Sequence, residues 1–360
     1  MFSKEQSRNV AQDSLCKMAR IFGSFLFALA VVNGLLVAED MPAPALKLTR
    51  TIVLSDTQGK FDHFAIDLAG DRLFAASAGK RSVEVIDLRT DKVQQSIPGL
   101  GKPHGLAWVP ATGSLYVSDG DRAELRVYQG QPLALAGTIK LSDDADDMVY
   151  DPATHHLFVG HGGGDGANPA RIAVVDTDHL ALVANVSVAT HPEAIEIDPQ
   201  SQRVFANIAD SNEVVVIGAA SNSIAADWKL TKAAENVPLA FDEQHQLIYV
   251  ACRKPGMVIA MDAATGKEIA SAQAASGADD LFYDSTLRRV YVITGAGEVD
   301  SYQVDHAKTL RALSVLRTAP GAKTGLFVPS QNLLYIGVPG SATNPSEVRV
   351  YSTVRSGMVQ

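Results

Sequence analysis

The sequence predicts an all-β fold, a seven-bladed β-propeller with four antiparallel strands per blade. Three observations support this prediction. One phrase, an apolar strand followed by a turn and a second strand, recurs seven times at intervals of 42 to 47 residues. Each repeat continues with segments of alternating apolar and polar residues, and no long 3.6-residue periodicity occurs after the first 40 residues. Four short strands at this period are typical of a propeller blade.

The repeats align on one register position at the end of the first strand of each unit. That position is occupied by Asp67, Val109, Asp151, Asp198, Asp242, Asp284 and Val328. The seventh unit has only three strands, and residues 47–54, ahead of the first unit, resemble an isolated fourth strand. We therefore expect the last blade to be closed by this N-terminal strand, which would also cover an exposed sheet edge.

The N-terminal residues have the pattern of a secretory signal peptide. An apolar run over 21–38 follows basic residues and precedes acidic ones, and translation could start at Met1 or at Met18. The run predicts export to the periplasm or the outside of the cell; alternatively, it is retained and anchors the protein in the inner membrane. The predicted organisation is a leader at 1–38, a linker at 39–46, one propeller at 47–354 and a tail at 355–360.

Charge and cysteine content exclude some classes of function. The chain has 31 basic and 40 acidic residues, a formal charge of −9. Removing the leader takes away four basic and two acidic residues, so the mature charge is −11. Binding to nucleic acid is disfavoured, because a phosphate backbone requires a basic surface. Cys252 would be the one thiol left, so the core must hold the domain together without an internal disulfide. We separately expect the protein to be a monomer.

Several phrases identify a resemblance to a known family. LYVSDGDRAELRVY, HPEAIEIDPQSQRVFAN and LIYVACRKPGMVIAMDAATGK are similar to the repeats of the bacterial YVTN-repeat, or YncE-like, propellers. The resemblance covers nearly the whole mature chain and implies an exported seven-bladed propeller. It does not imply a particular chemistry, because a propeller is a platform on which different sites are built.

One ring of residues is predicted to surround one mouth of the central channel. The first strand of each blade lines the channel, so the residues five before the register position should meet there. These residues are Asp62, His104, Asp146, Glu193, Val237, Asp279 and Lys323. Residues near them add His63, Asp147, Asp280 and His191. Either these groups complete strand ends and pair with neighbours, or they form a ligand-binding ring whose crowded carboxylates attract a cation.

Two functions are compatible with such a ring. The first is an exported binding or scaffold protein that receives a small ligand or a protein segment at an acidic channel mouth. The second is a metal-dependent hydrolase or lyase, similar to a lactonase, with its site at the same mouth. In that case His104, Asp146, Asp147 and Glu193 could hold Ca, Mg, Mn or Zn, and His63 or His191 could act as acid or base. The sequence contains no recognised catalytic motif, so we favour binding.

Two loops on the same predicted face add candidate ligand-binding residues. His161 begins a glycine-rich loop after a second strand of the third repeat, and Arg253 lies in the equivalent loop of the fifth repeat. Arg253 could bind an anionic group of a ligand or pair with the acidic ring. The loop at His161 resembles the oxyanion loop of some esterases, but the chain has no G-x-S-x-G motif.

Overall fold

A computed structural model describes residues 44–163 and 166–355. The predicted leader, most of the linker and the predicted tail from residue 356 onward lie outside the described residues. No helix in the described part of the chain is long and apolar enough to cross a membrane. The described residues contain three one-turn helices, at Gly120–Arg122, Ala209–Ser211 and Pro329–Gln331.

The described residues form 28 β-strands arranged in seven sheets of four. The chain begins with β1 (Leu46–Leu54). Blade 1 follows with β2 (Phe64–Asp67), β3 (Arg72–Ser77), β4 (Ser82–Asp87) and β5 (Lys92–Ile97). Blade 2 contains β6 (Pro103–Val109), β7 (Ser114–Asp119), β8 (Glu124–Gln129) and β9 (Ala134–Lys140). Blade 3 contains β10 (Met148–Asp151), β11 (His156–His161), β12 (Arg171–Asp176) and β13 (Ala181–Ser187).

The remaining four blades repeat the same antiparallel order. Blade 4 contains β14 (Pro192–Asp198), β15 (Arg203–Ile208), β16 (Glu213–Gly218) and β17 (Ser223–Lys229). Blade 5 contains β18 (Ala234–Asp242), β19 (Leu247–Lys254), β20 (Gly256–Asp262) and β21 (Glu268–Gln273). Blade 6 contains β22 (Ala278–Asp284), β23 (Arg289–Thr294), β24 (Glu298–Val304) and β25 (Leu310–Arg317). Blade 7 contains β26 (Gly325–Val328), β27 (Leu333–Val338), β28 (Ser346–Thr353) and, outside them, β1.

The structure confirms the predicted seven-bladed propeller with four antiparallel strands per blade. In blade 7, β1 pairs antiparallel with β28, and Ile52 lies opposite Val348. First strands of successive blades contact one another, and β2 also contacts β26, so the blades follow chain order around a ring. Buried aliphatic and aromatic side chains pack between neighbouring blades. Phe74 of blade 1 and Leu115 of blade 2, for example, belong to one cluster.

The aspartates at the register position hold the turn between the first and second strands. Asp151 accepts hydrogen bonds from the Ala153 N–H and the Thr154 hydroxyl, and Asp284 accepts from the N–H groups of Thr286 and Leu287. Aspartate favours such turns because its short carboxylate can bond the backbone two or three residues ahead. This turn lies at the strand end away from the ring five residues earlier, so the repeated aspartates stabilise the fold at the opposite face.

Candidate functional site

The seven ring residues all line one cavity of about 210 Å³. They come from seven different blades; six lie within two residues of the start of the first strand, and Val237 is the fourth residue of β18. Six further residues complete the lining, and we call the whole set the mouth. The additional residues are Lys60, His63, Lys102, Asp147, Ala194 and Arg253. The mouth thus contains five carboxylates, four lysine or arginine side chains and two imidazoles, so its acidic groups are largely balanced by basic ones.

Asp146 is the centre of the most crowded part of the mouth. Its Oδ1 lies 3.5 Å from His104 Nδ1 and 3.9 Å from His63 Nε2. Its Oδ2 lies 3.4 Å from His191 Nε2. The three imidazoles come from the first, second and fourth blades, and only 17% of the Asp146 side chain is exposed. The ring therefore brings three nitrogens that are far apart in the sequence close to one carboxylate.

Hydrogen bonds orient two of these imidazoles. His104 Nδ1 donates to Asp62 Oδ2 at 2.8 Å. His191 Nδ1 donates to the Gly162 carbonyl at 2.9 Å, which leaves His191 Nε2 directed at Asp146. A hydrogen bond at one ring nitrogen of a histidine determines whether the other nitrogen can donate or accept a proton. The Gly162 carbonyl, at the start of the glycine-rich loop, thus orients the His191 ring within the site.

Electrostatic interactions shift the pKa values of these groups strongly. Burial alone would lower the pKa of His63, but four surrounding aspartates raise it to about 10. Burial also opposes the charged form of His191, whereas the hydrogen bond and charge of Asp146 raise its pKa to about 9. The pKa of His104 is raised by Asp62 and Asp146 against the effect of burial. Asp146 is buried too, but the imidazoles keep its pKa well below the usual range.

Glu193 behaves differently from Asp146. Burial and the nearby Asp146 charge raise the pKa of Glu193 to about 7. A carboxyl group with such a pKa can gain or lose a proton near neutral pH. Glu193 is therefore the mouth carboxylate best suited to exchange a proton with a ligand.

Two overlapping sets of donors could hold a metal ion. One set consists of Asp62, His63 and Asp146, and the other of Asp146, His191 and Glu193; within each set the donor atoms lie within 4.8 Å of one another. We call these five residues, together with His104, the histidine–carboxylate cluster. Of the predicted metal ligands, Asp146 and Glu193 belong to these donor sets, whereas His104 belongs to neither and instead bonds Asp62 beside them. Asp147 is outside the cluster, because its Oδ2 accepts the Ile195 N–H at 3.1 Å.

The opposite side of the mouth is cationic. Arg253, Asp279 and Lys323 come from blades 5, 6 and 7 or the segments just before them, whereas the histidine–carboxylate cluster comes from blades 1 to 4. Both basic side chains pair with the one Asp279 carboxylate. The Arg253 Nε also donates to the Ala278 carbonyl at 3.0 Å. This trio carries a net positive charge and adjoins the cluster at both ends, because the charge of Arg253 acts on Glu193 and that of Asp62 acts on Lys323.

A second cavity of about 230 Å³, which we call the chamber, lies inside the channel and shares His63, Asp147 and Ala194 with the mouth. Its walls are mostly apolar, but Asp280 and Glu196 also line it. Burial raises the pKa of Asp280 to about 7 and that of Glu196 to about 8. The two predicted residues Asp147 and Asp280 thus sit deeper than the ring, where they accept backbone N–H bonds from Ile195 and Gly325.

His161 does not line the mouth. It is 2% exposed, its Nδ1 accepts the Ser142 N–H at 3.0 Å, and its Nε2 bonds Asn185 Oδ1 at 3.0 Å. Both ring nitrogens are therefore used within blade 3 and the segment before it. The predicted ligand-binding role of His161 finds no geometric support, because the side chain turns back into its own blade.

Lys60, Lys102 and Glu196 were not identified as site residues from the sequence. Glu196 had a detectable signal, because it lies two residues before the register position on a channel-lining strand. In the other blades that position holds Ala65, Ala107, Val149, Ala240, Phe282 and Leu326. A single carboxylate among six apolar residues marks a departure from the repeat. Lys60 and Lys102 both lie seven residues before the register position, where the fourth repeat has His191, so the repeat could have identified them too.

Comparison with known proteins supports the fold alone. No protein-family model matches the chain, and no curated protein matches it. Among solved structures, the structure of U3-55K is similar, with a TM-score of 0.71 and 12% identity over 86% of this chain and 99% of that chain. A chain in the crystal structure of the mitotic checkpoint complex has a TM-score of 0.72 and 11% identity, over 94% and 99%. The chain is therefore a seven-bladed β-propeller with WD40-like structural neighbours.

Proposed function

We propose that the histidine–carboxylate cluster binds a divalent cation and that the propeller is a binding protein that receives a small ligand at this cation. The observation that carries the proposal is the convergence of three imidazole nitrogens on Asp146 at 3.4 to 3.9 Å. Metal–ligand bonds of about 2.0–2.6 Å place neighbouring donor atoms about 2.8–4.2 Å apart. Each nitrogen–oxygen pair is thus spaced as two ligands of one ion would be, and each of the two three-residue sets keeps its donor atoms within 4.8 Å of one another.

The mixture of donors indicates which ions to test. Carboxylate oxygens suit Ca²⁺, Mg²⁺ and Mn²⁺, and imidazole nitrogens suit Zn²⁺ and other transition metals. A cluster that offers three imidazoles and three carboxylates should favour Mn²⁺ or Zn²⁺ over Ca²⁺ or Mg²⁺. The raised imidazole pKa values mean that the cation must displace protons from these rings, because both are attracted by the same carboxylates.

Two features favour binding over covalent catalysis. The thirteen residues of the mouth include no serine, threonine, cysteine or tyrosine that could act as a nucleophile. The cavity, at about 210 Å³, is smaller than the roughly 300–1,000 Å³ of pockets for drug-sized ligands. A small molecule, or one side chain of a protein segment, is therefore the expected occupant. The similarity to WD40-like propellers is compatible with a binding or scaffold role but names no partner.

A metal-dependent hydrolase or lyase is the second candidate, and Glu193 is the observation that favours it. With a cation at Asp62, His63 and Asp146, Glu193 would remain free beside it. Burial and the Asp146 charge raise the pKa of Glu193 to about 7 in the metal-free protein, and a neighbouring cation would lower that pKa again and favour the carboxylate. Its carboxylate could then accept a proton from a water molecule that attacks an ester, or from the carbon next to a carbonyl group. His191 could serve the same purpose, as the sequence predicts.

The proposal is tested with purified protein freed of metal by a chelator. Equilibrium dialysis against Mn²⁺ and Zn²⁺ should give close to one ion per chain, and Asp146→Asn should abolish the binding. Asp178→Asn is the matched control. Asp178 also pairs with a histidine, since its Oδ2 lies 2.8 Å from His155 Nδ1, but this pair is exposed and lies away from the mouth. Wild-type protein that binds neither ion, or binds as well after Asp146→Asn, would refute the proposal.

We further propose that the protein is exported and works as a monomer, and that it is related to the YncE-like propellers. Export rests on the apolar run over 21–38 and family membership on the repeat phrases. N-terminal sequencing of the protein from a fractionated bacterial host tests export. A mature N-terminus near residue 39 in the periplasmic fraction supports it, and full-length protein in the cytoplasm contradicts it.

A further inference from the structure

We infer that the ligand of the mouth is a small organic acid, whose carboxylate is held by Arg253 and Lys323 while its other polar end reaches the cation. This inference rests on the proposed function, since it assumes a cation in the histidine–carboxylate cluster. It adds the chemical class of the ligand and assigns a binding role to Lys323 together with Arg253. We call Arg253, Asp279 and Lys323 the anion anchor.

The anion anchor has more hydrogen-bond donors than the protein uses. Arg253 has five N–H groups, and the acceptors recorded for it within residues 44–163 and 166–355 are the Ala278 carbonyl and Asp279. The ammonium of Lys323 has three N–H groups and pairs with Asp279. About one-third of each basic side chain is exposed, against 10% for Asp279. Unused donors therefore face the cavity that both residues line.

Asp279 prepares these donors for an anion. It holds one N–H of each basic side chain, so both side chains are kept at the wall of the mouth before any ligand arrives. Two positive charges and one negative charge leave a surplus of one, which matches a single carboxylate. A free guanidinium edge can bind a carboxylate through two parallel hydrogen bonds, and such charge-assisted bonds are stronger than neutral ones.

Charges around the anchor favour a carboxylate over a phosphate. A phosphate dianion would bring a second negative charge close to Asp279, and the charge of Arg253 already acts on the nearby Glu193. Diamines are disfavoured, because the blade 5 to 7 side of the mouth is cationic. The donor sets proposed for the cation come from blades 1, 3 and 4 and the anchor from blades 5 to 7, so a ligand that contacts both must have a second polar group, such as a carboxylate, carbonyl or hydroxyl, at its other end.

Calorimetry with defined probes tests this inference. Mn²⁺ is titrated first, and the loaded protein is then titrated with malonate, succinate and glutarate, whose two carboxylates have graded spacing. Acetate, inorganic phosphate and 1,4-diaminobutane serve as comparison probes. We expect at least one dicarboxylate to bind more tightly than acetate, phosphate and the diamine. Tighter binding of phosphate or of the diamine than of every dicarboxylate would overturn the assigned ligand class.

Substitutions test the anchor itself. Arg253→Gln and Lys323→Gln should each weaken binding of the best dicarboxylate by about 10- to 100-fold, the range for hydrogen bonds to charged groups. Arg253→Lys should give an intermediate loss, because it keeps the charge without the planar edge. The control is Arg317→Gln, since the Arg317 side chain is 89% exposed on an outer strand and, among the residues that the structure describes, pairs with Glu298 at 3.9 Å. Melting temperatures show whether each variant is folded.

The outcomes separate this inference from the proposed function. If Mn²⁺ binds wild-type protein but the dicarboxylate binds equally well after both glutamine substitutions, the inference is wrong and the proposed function stands. If Mn²⁺ does not bind, the proposed function fails. The same dicarboxylates are then titrated without a cation. Binding that depends on Arg253 and Lys323 supports the anchor, and no binding overturns it.

Discussion

Replacing Asp146 by asparagine should lower the pKa of His191 and destabilise the protein in a defined pH range. The pKa of His191 is raised from 6.5 to about 9, and the Asp146 carboxylate is the main cause of the increase. At about 1.36 kcal/mol for each pKa unit, this corresponds to a stabilisation of at most about 3 kcal/mol. His191 and Asp146 are 15% and 17% exposed, so screening by solvent is limited.

The pH range follows from the direction of each shift. His191 has a raised pKa, so its contribution to stability is complete below about pH 6.5 and disappears as the pH rises through about 9. Asp146 has a lowered pKa, so the same interaction is lost when the carboxylate is protonated below its normal pKa of about 3.8. The difference in free energy of unfolding between wild type and Asp146→Asn should be largest between about pH 4 and pH 6.5.

Two assays check this prediction in metal-free protein. An NMR titration of the His191 ring follows its pKa directly, and urea unfolding at pH 6 and at pH 9.5 gives the free energies. A His191 pKa that stays near 9 in the variant would refute the assigned cause. Equal destabilisation at both pH values would show that the charge of His191 does not cause the loss. Asp178→Asn, which removes an exposed pair, should have little effect at either pH.

Three further outcomes are expected. Gly105→Ala should lower both the melting temperature and the Mn²⁺ affinity, because a Cβ there would lie 2.3 Å from the Asp146 carbonyl oxygen; unchanged values would contradict the tight packing. Cys252 should react with a thiol reagent at pH 8 only after unfolding, since it is fully buried and burial raises its pKa to about 12; rapid reaction of the folded protein would disagree. Mn²⁺ affinity should fall from pH 8 to pH 6, because Glu193, with a pKa of about 7, takes up a proton over this range and the protons already held by the imidazoles become harder for the ion to displace. Calorimetry that finds a constant affinity over this range would oppose that account.

The repeat made the ring of the mouth predictable from the sequence. Once the register was fixed at residues such as Asp151 and Asp198, counting back five residues identified Asp146 and Glu193. All seven ring residues line one cavity because the propeller brings equivalent positions of its blades together. Whether these residues bind a ligand stays a prediction.

Side-chain direction was less predictable. His161 lies at the end of β11 on the expected face, but its ring turns toward Asn185 and takes two hydrogen bonds inside the blade. Asp147 follows Asp146 directly, and because successive residues of an extended chain point in different directions, it lines the chamber and bonds the Ile195 N–H instead of joining the cluster. The alternation along an extended chain could have separated Asp147 from Asp146, whereas the sequence position of His161 does not show which way its ring turns.

The charge distribution at the mouth also differs from the one that the sequence predicts. The net charge of −11 and the ring suggested an acidic opening, but Lys60 and Lys102 precede their strands and extend into the lining. Arg253 and Lys323 add two more positive charges beside Asp279. The mouth therefore has a carboxylate-rich side with imidazoles and a cationic side. That asymmetry, and not a uniform negative charge, is what suggests a cation and an organic acid as joint occupants.

Anomalous diffraction from crystals grown with Mn²⁺ tests the central claim most directly. The account predicts one strong anomalous peak inside the mouth, at about 2.0–2.4 Å from an Asp146 oxygen and from at least one nitrogen of His63, His104 or His191. The peak should be absent in crystals of Asp146→Asn grown in the same way. A fully formed mouth without a peak, or with its only peak on an exposed carboxylate elsewhere on the propeller, would contradict the account.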